Sequence, residues 1–158
     1  VENRALQTPG LVATVGSLTA EPGALNVVAG SATCTLDLRH ERDAERIAAV
    51  ADLQNTAREL ARCRGLQVAF DALVDDASTP LDPAFAQRLE RLTGAPTMVS
   101  GAGHDASIMS EFTPSSLLFV RSPGGISHHP DEAVFEDDVA EALRAVTGFV
   151  LDLAEDHA

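Results

Sequence analysis

Ser31-Ala-Thr-Cys-Thr-Leu-Asp-Leu-Arg39, followed after three polar residues by the helical run 43–64, decides how the first half of the chain folds. Successive side chains of a strand face opposite sides. Ala32, Cys34, Leu36 and Leu38 therefore share one face, and Thr33, Thr35, Asp37 and Arg39 the other. This alternation predicts a half-buried strand whose polar face ends in Arg39. In residues 43–64, Ile47, Val50, Leu53, Ala57, Leu60 and Ala61 recur at three- and four-residue spacing, as on one face of a helix. Gly65 is its stop signal. Residues 66–74 read as a further strand. Upstream, residues 11–16 read as a strand ending at Gly16, Glu21-Pro-Gly23 as a turn, and Val1 to Gln7 as the tail of a helix. The order in residues 1–76 is helix end, strand, strand, helix, strand. With one strand and most of a helix added in front, that is a split βαβ sandwich with an antiparallel sheet.

Ala77-Ser-Thr-Pro80 marks the expected boundary, and residues 77–158 form the second part. A helix is expected over 82–93 with Pro83 at an early position, where its missing N–H costs nothing. Short strands are expected at 97–100 and 116–120, and helices at 104–111 and 137–155. The closing helix carries Val139, Leu143, Val146, Val150, Leu151 and Leu153 as its apolar stripe. Alternating α and β elements place this half in an α/β layer too short to be a complete doubly wound domain.

The 158 residues are 45% apolar, with six Phe and no Trp or Tyr, so any core is aliphatic. A formal net charge of −13 argues against nucleic acid, which needs a basic surface, and against anionic membranes. No apolar run approaches the roughly 18 residues that cross a bilayer, and no signal-peptide pattern is visible. Cys34 and Cys63 are isolated and lack zinc-site spacing, which fits a reduced, cytoplasmic protein. The first residue is Val inside what reads as a helix tail. The chain is therefore expected to be a fragment of a longer protein, although a processed N-terminus would look the same.

Two Gly/His loops carry most of the chemistry. Phe119-Val-Arg-Ser-Pro-Gly-Gly-Ile-Ser-His-His-Pro-Asp-Glu132 leaves an apolar run through a Gly-rich turn and delivers two histidines. Imidazole suits zinc, manganese, nickel or iron. Adjacent histidines on extended backbone point opposite ways, so at most one of His128 and His129 binds a given metal. A catalytic metal needs about three protein ligands, and no further ligand cluster is visible. Ser100-Gly-Ala-Gly-His-Asp-Ala106 is the second loop. Its glycines allow close approach of backbone to a ligand, and a helix start there would favour an anion; a tight turn with an Asp cap is the plainer reading. It has neither the Lys-Ser/Thr of a phosphate loop nor a Gly-x-Ser-x-Gly elbow. Arg39 presents a fork matched to a carboxylate, or else makes an ordinary surface ion pair. Asn26, in Leu25-Asn-Val-Val28, precedes its strand.

In order, Leu-Asn-Val-Val, Leu-Asp-Leu-Arg-His, Ser-Gly-Ala-Gly-His-Asp-Ala and Gly-Gly-Ile-Ser-His-His-Pro-Asp-Glu are similar to motifs of the M20-type metal-dependent amidohydrolases. The branch resembled is that of allantoate amidohydrolases and N-carbamoyl-L-amino-acid hydrolases. The resemblance implies a ferredoxin-like βαββαβ lid and dimerisation domain at residues 1–76, lacking its first strand. It implies the C-terminal part of an α/β metallopeptidase-like catalytic domain at residues 77–158. It also implies two divalent ions (zinc, manganese or nickel) in the whole protein, with His128 as the one ligand in this chain. His129 is not implied as a ligand. Asn26, Arg39, Gly103 and His104 are implied to bind a small ureido substrate with a carboxylate. The general-base Glu is expected upstream, so the isolated fragment is expected to be inactive. The protein is expected to be a homodimer through the lid. A dipeptidase or deacylase of the same family, and a non-catalytic dimerisation module, are the competing readings.

Overall fold

A computed structural model of the chain describes residues 1–156. Two compact units divide it, Val1–Ser78 and Thr79–Ala158. In the first, α1 (Glu2–Gln7) leads into β1 (Val12–Glu21), β2 (Ser31–Arg39) and α2 (Asp43–Arg64). In the second, α3 (Pro83–Thr93), the short α4 (Asp105–Met109), a single 3₁₀ turn at Pro123–Gly125 and α5 (Glu136–Asp156) follow one another.

β1 and β2 form a two-stranded antiparallel sheet with an irregular register between Val15 and Ser17. Gly16 does not end the strand as expected; it is the extra residue of a bulge, and β1 runs on to Glu21. The bulge resets the alternation. Ala13, Val15, Leu18 and Ala20 pair with Leu38, Leu36, Cys34 and Ala32. Paired residues share a face, so β1 presents four apolar side chains to the apolar face of β2 despite a three-residue step from Val15 to Leu18. Without the extra residue, Leu18 would fall among the threonines. Glycine suits the position for a second reason: a Cβ there would lie 3.1 Å from Thr35 Oγ1. That hydroxyl accepts the Ser17 N–H at 3.0 Å.

α2 ends as expected at Gly65, whose φ of +66° is the left-handed region where glycine carries no steric penalty. The buried line of α2 runs through Ala49, Leu53, Ala57 and Ala61, four residues apart, with Ala49 fully covered and Ala61 buried. Ile47 and Leu60, expected on that face, lie on an exposed flank. His40 ties the unit together. It is buried, accepts the Arg42 N–H on Nδ1 at 2.9 Å and places Nε2 3.0 Å from the Pro9 carbonyl.

In the second unit, Asp82 caps α3 by accepting the Phe85 N–H at 2.9 Å, and Pro83 occupies the first turn. α3 packs against α5. Phe85 and Phe149 meet edge to face at 5.0 Å, and Gly148 comes so close that a Cβ would lie 3.2 Å from Leu92. The covered face of α5 is therefore the one bearing Ala142, Ala145, Gly148 and Phe149. The expected stripe is rotated away from it: Val139, Leu143, Val146, Val150 and Leu151 are exposed, Leu143 at 64%.

The expected strands at 66–74, 97–100 and 116–120 form no ladder among the described residues. Their apolar composition is strand-like, but a ladder needs a neighbour to exchange hydrogen bonds with, and no described segment provides one. The fold is thus mixed α/β with one two-stranded sheet. An aliphatic core forms only in part: among the described residues, Leu11, Ala49, Ala61 and Ala145 are the buried apolar ones. The chain exposes 12243 Å². Two compact bodies of half its mass each would together expose about 9,000 Å². Large apolar side chains are among the exposed ones, with Leu18 72% exposed on the sheet and Phe112 78% exposed after α4.

Candidate active site

Asp37 and Arg39 stand two residues apart on β2 and so on one face. Arg39 donates from Nε to Asp37 Oδ1 at 2.8 Å and from Nη2 to Oδ2 at 2.7 Å. These bonds from Arg39 hold the Asp37 carboxyl below the usual carboxylate range, with burial opposing. Asp37 in turn raises Arg39 above its ordinary value. The two side chains are 52% and 49% exposed, so water competes and the pair adds little stability. Chemically, it displays a guanidinium already engaged in two-pronged carboxylate recognition. Asn26 lies in the loop between β1 and β2, in a turn whose Val27 N–H reaches the Ala24 carbonyl at 3.4 Å. It is exposed.

In the second unit the Ser100–His104 loop folds on itself. Ser100 Oγ accepts the Ala102 N–H at 3.1 Å and lies 2.6 Å from His104 Nε2. The His104 ring meets Phe119 edge to face at 5.5 Å, so two segments hold it. His104 is also the N-cap residue of α4, but its side chain caps nothing. α4 is shorter than expected, five residues, and its dipole is correspondingly slight. Gly103 is exposed; its φ is not in the left-handed region and a Cβ there would meet nothing within 4 Å. Neither conformation nor packing within the chain demands glycine there.

His128 lies beyond the turn made by Gly124 and Gly125, both in the left-handed region at φ +71° and +67°. His128 itself has φ +56°, an uncommon conformation for a residue with a Cβ, though His tolerates it better than most. Its N–H donates to Glu132 Oε2 at 2.8 Å, and the Glu132 N–H returns to the His129 carbonyl at 2.9 Å. His129 Nδ1 accepts the Asp131 N–H at 3.2 Å. The turn thus uses His129 for its own geometry and leaves the His128 ring exposed.

Asn26 and Arg39 belong to the first unit, His104 and His128 to the second. Among the described residues no three His, Cys, Asp or Glu side chains gather where they could hold a metal ion. This donor set does not make a metal centre by itself. Two partners were missed in the sequence reading. Asp37 could have been found from the alternation that puts it on the face of Arg39. Ser100 could have been found only from a turn that brings residues four apart together outside a helix.

The family model described as Peptidase family M20/M25/M40 matches residues 6–152. Among curated proteins, the allantoate deiminase of Arabidopsis thaliana is 39% identical over 89% of this chain and 29% of its own length. The probable allantoate deiminase of Oryza sativa subsp. japonica is 36% identical over 94% of this chain and 34% of its own. Among solved structures, an amidase of the hydantoinase/carbamoylase family from Burkholderia multivorans superposes with a TM-score of 0.88 at 30% identity, covering 96% of this chain and 38% of that one. The chain therefore spans about a third of the length of these relatives. No helix among the described residues is long and apolar enough to cross a membrane.

Proposed function

The chain belongs to peptidase family M20/M25/M40, and from that premise we propose that it is the C-terminal portion of a metal-dependent amidohydrolase that cleaves a linear ureido C–N bond. The substrate is allantoate or an N-carbamoyl-L-amino acid. The observation that carries this reading is the family match itself, which spans residues 6–152.

Residues 1–76 serve as the lid and dimerisation domain of a ferredoxin-like sandwich, and residues 77–158 close the catalytic domain. Unpaired apolar segments at 66–74, 97–100 and 116–120 support this, as do the uncovered sheet face and α5 stripe. Such surfaces are costly in water and normally mark an interface. A homodimer through the lid and a catalytic domain completed by further residues would cover them.

The substrate carboxylate takes the Arg39 fork, in competition with Asp37. Asn26 supplies an amide from the preceding loop. Gly103 gives the substrate room beside the backbone, the role its open Cβ position supports. His104 donates a hydrogen bond. His128 is the one metal ligand from these residues; two divalent ions in the whole enzyme would supply Lewis acidity, with zinc, manganese and nickel all suited to such donors. The general base is a Glu outside these residues. The enzyme works in the cytoplasm.

The test is to assay the complete gene product on allantoate and on N-carbamoyl amino acids, before and after chelation. Ureide turnover that chelation removes is expected. Turnover of dipeptides or N-acyl amino acids with none of ureides would transfer the reading to a dipeptidase or deacylase.

A further inference from the structure

We propose that Ser100 is a positioning residue: it fixes His104 in the tautomer that carries its proton on Nδ1, so that Nδ1–H is the donor offered to substrate. The site assignment of His104 rests on the function proposed above; the tautomer rests on geometry alone.

Ser100 Oγ has one proton and two lone pairs. The Ala102 N–H takes one lone pair at 3.1 Å. Among the described residues the proton has two possible acceptors, His104 Nε2 at 2.6 Å and the Ala102 carbonyl at 3.4 Å. An O–H donor at 2.6 Å makes a full hydrogen bond, whereas 3.4 Å is at the edge of what counts as one. Ser100 therefore donates to Nε2. A nitrogen that accepts in a neutral imidazole leaves its proton on the other, so the proton sits on Nδ1. The opposite arrangement would send Nε2–H to Oγ and strand the serine proton on the weak 3.4 Å contact.

The ring has little freedom to escape this choice. Phe119 meets it edge to face, and the His104 side chain does not cap α4. His104 Nδ1 makes no hydrogen bond among the described residues, so its proton is available to an incoming acceptor. A ureido carbonyl or a carboxylate is such an acceptor. The device thus converts an ambiguous imidazole into a donor of fixed polarity.

The experiment uses the complete protein with ¹⁵N-labelled histidine, at a pH where His104 is neutral, and identifies its signals with H104Q. Long-range ¹H–¹⁵N correlation distinguishes the two tautomers. The Nδ1–H form is expected in the unsubstituted protein and in S100T, with a shift toward Nε2–H in S100A. An Nε2–H tautomer in the unsubstituted protein overturns the proposal, even if S100A fails to fold; so does a tautomer that S100A leaves unchanged. In parallel, S100A should lower kcat/KM for the ureide about tenfold, the scale of one hydrogen bond, with S100T restoring most of it. If H104Q leaves turnover intact, the substrate role of His104 fails while the tautomer assignment stands.

Discussion

Arg39 holds Asp37 through two parallel hydrogen bonds along one face of β2, at 2.8 and 2.7 Å. The pair is too exposed to support the fold appreciably, yet its geometry is that of carboxylate recognition.

Replacing Arg39 should therefore separate function from stability. Arg39→Ala in the complete protein is expected to lower kcat/KM for a carboxylate-bearing ureide at least tenfold, while unfolding free energy changes by less than about 1 kcal/mol. Arg39→Lys should rescue poorly, because an ammonium lacks the fork. Denaturant titration beside steady-state kinetics checks both halves.

Acid should dissolve the pair in a defined direction. The folded Asp37 carboxyl is held below its ordinary range by Arg39. Its contribution is complete above that range and is lost as pH falls through the depressed folded value. Melting curves of the protein and of D37N, compared from about pH 6 down to about pH 2, should differ slightly at the top and converge at the bottom. A difference that grows toward acid would contradict the assignment.

Gly16 should tolerate no branched side chain. Gly16→Val places carbon where Thr35 Oγ1 already sits, 3.1 Å from an ideal Cβ, and works against the bulge that keeps Leu18 in phase with Cys34. A loss of about 1–3 kcal/mol is expected, read from the denaturant midpoint. Gly103→Ala is the contrast: no change in stability, since its Cβ would meet nothing within 4 Å, but weaker substrate binding.

The α3–α5 contact should account for much of the stability of the second unit. Phe149→Ala removes the edge-to-face partner of Phe85 and should cost about 2–3 kcal/mol. Asp82→Ala deletes the α3 cap and should cost about 1 kcal/mol. Chemical denaturation of each variant measures both.

Residues 1–158 expressed alone should bind a hydrophobic dye strongly, because Leu18, Phe112 and the Leu143 stripe stand exposed. They should also turn over no ureide and titrate no stoichiometric divalent ion, since no three donor side chains gather among the described residues. Ureide hydrolysis by this piece at a rate near that of the complete protein would refute the division of labour proposed here.

Much of this was legible in the sequence. The ends of α2 and α3 were readable because end signals act within a few residues: Gly65 after one helix, Pro83 in the first turn of the other. The alternation of residues 31–39 specified a strand and put Asp37 beside Arg39. The faces of α2 and α5 were less legible. Both helices carry apolar residues on more than one side, and periodicity alone chose Ile47 and Leu143 where packing chose Ala49 and Ala145. Small residues won because they let a neighbouring element approach closely, as Leu92 does at Gly148.

By itself, then, the sequence determined what local chemistry controls: helix starts and stops, the two-faced character of β2, and the ordered motifs from Asn26 to His128 that carry the family resemblance. Only the tertiary structure decided that β1 continues through a bulge to Glu21, that three strand-like segments find no ladder among the described residues, and that Ser100 turns back onto His104. The reason is range. A cap or an alternation is satisfied by atoms a few residues away. A ladder, a helix face or a ring held between Ser100 and Phe119 depends on which distant segment supplies the partner, and one-dimensional spacing does not encode that.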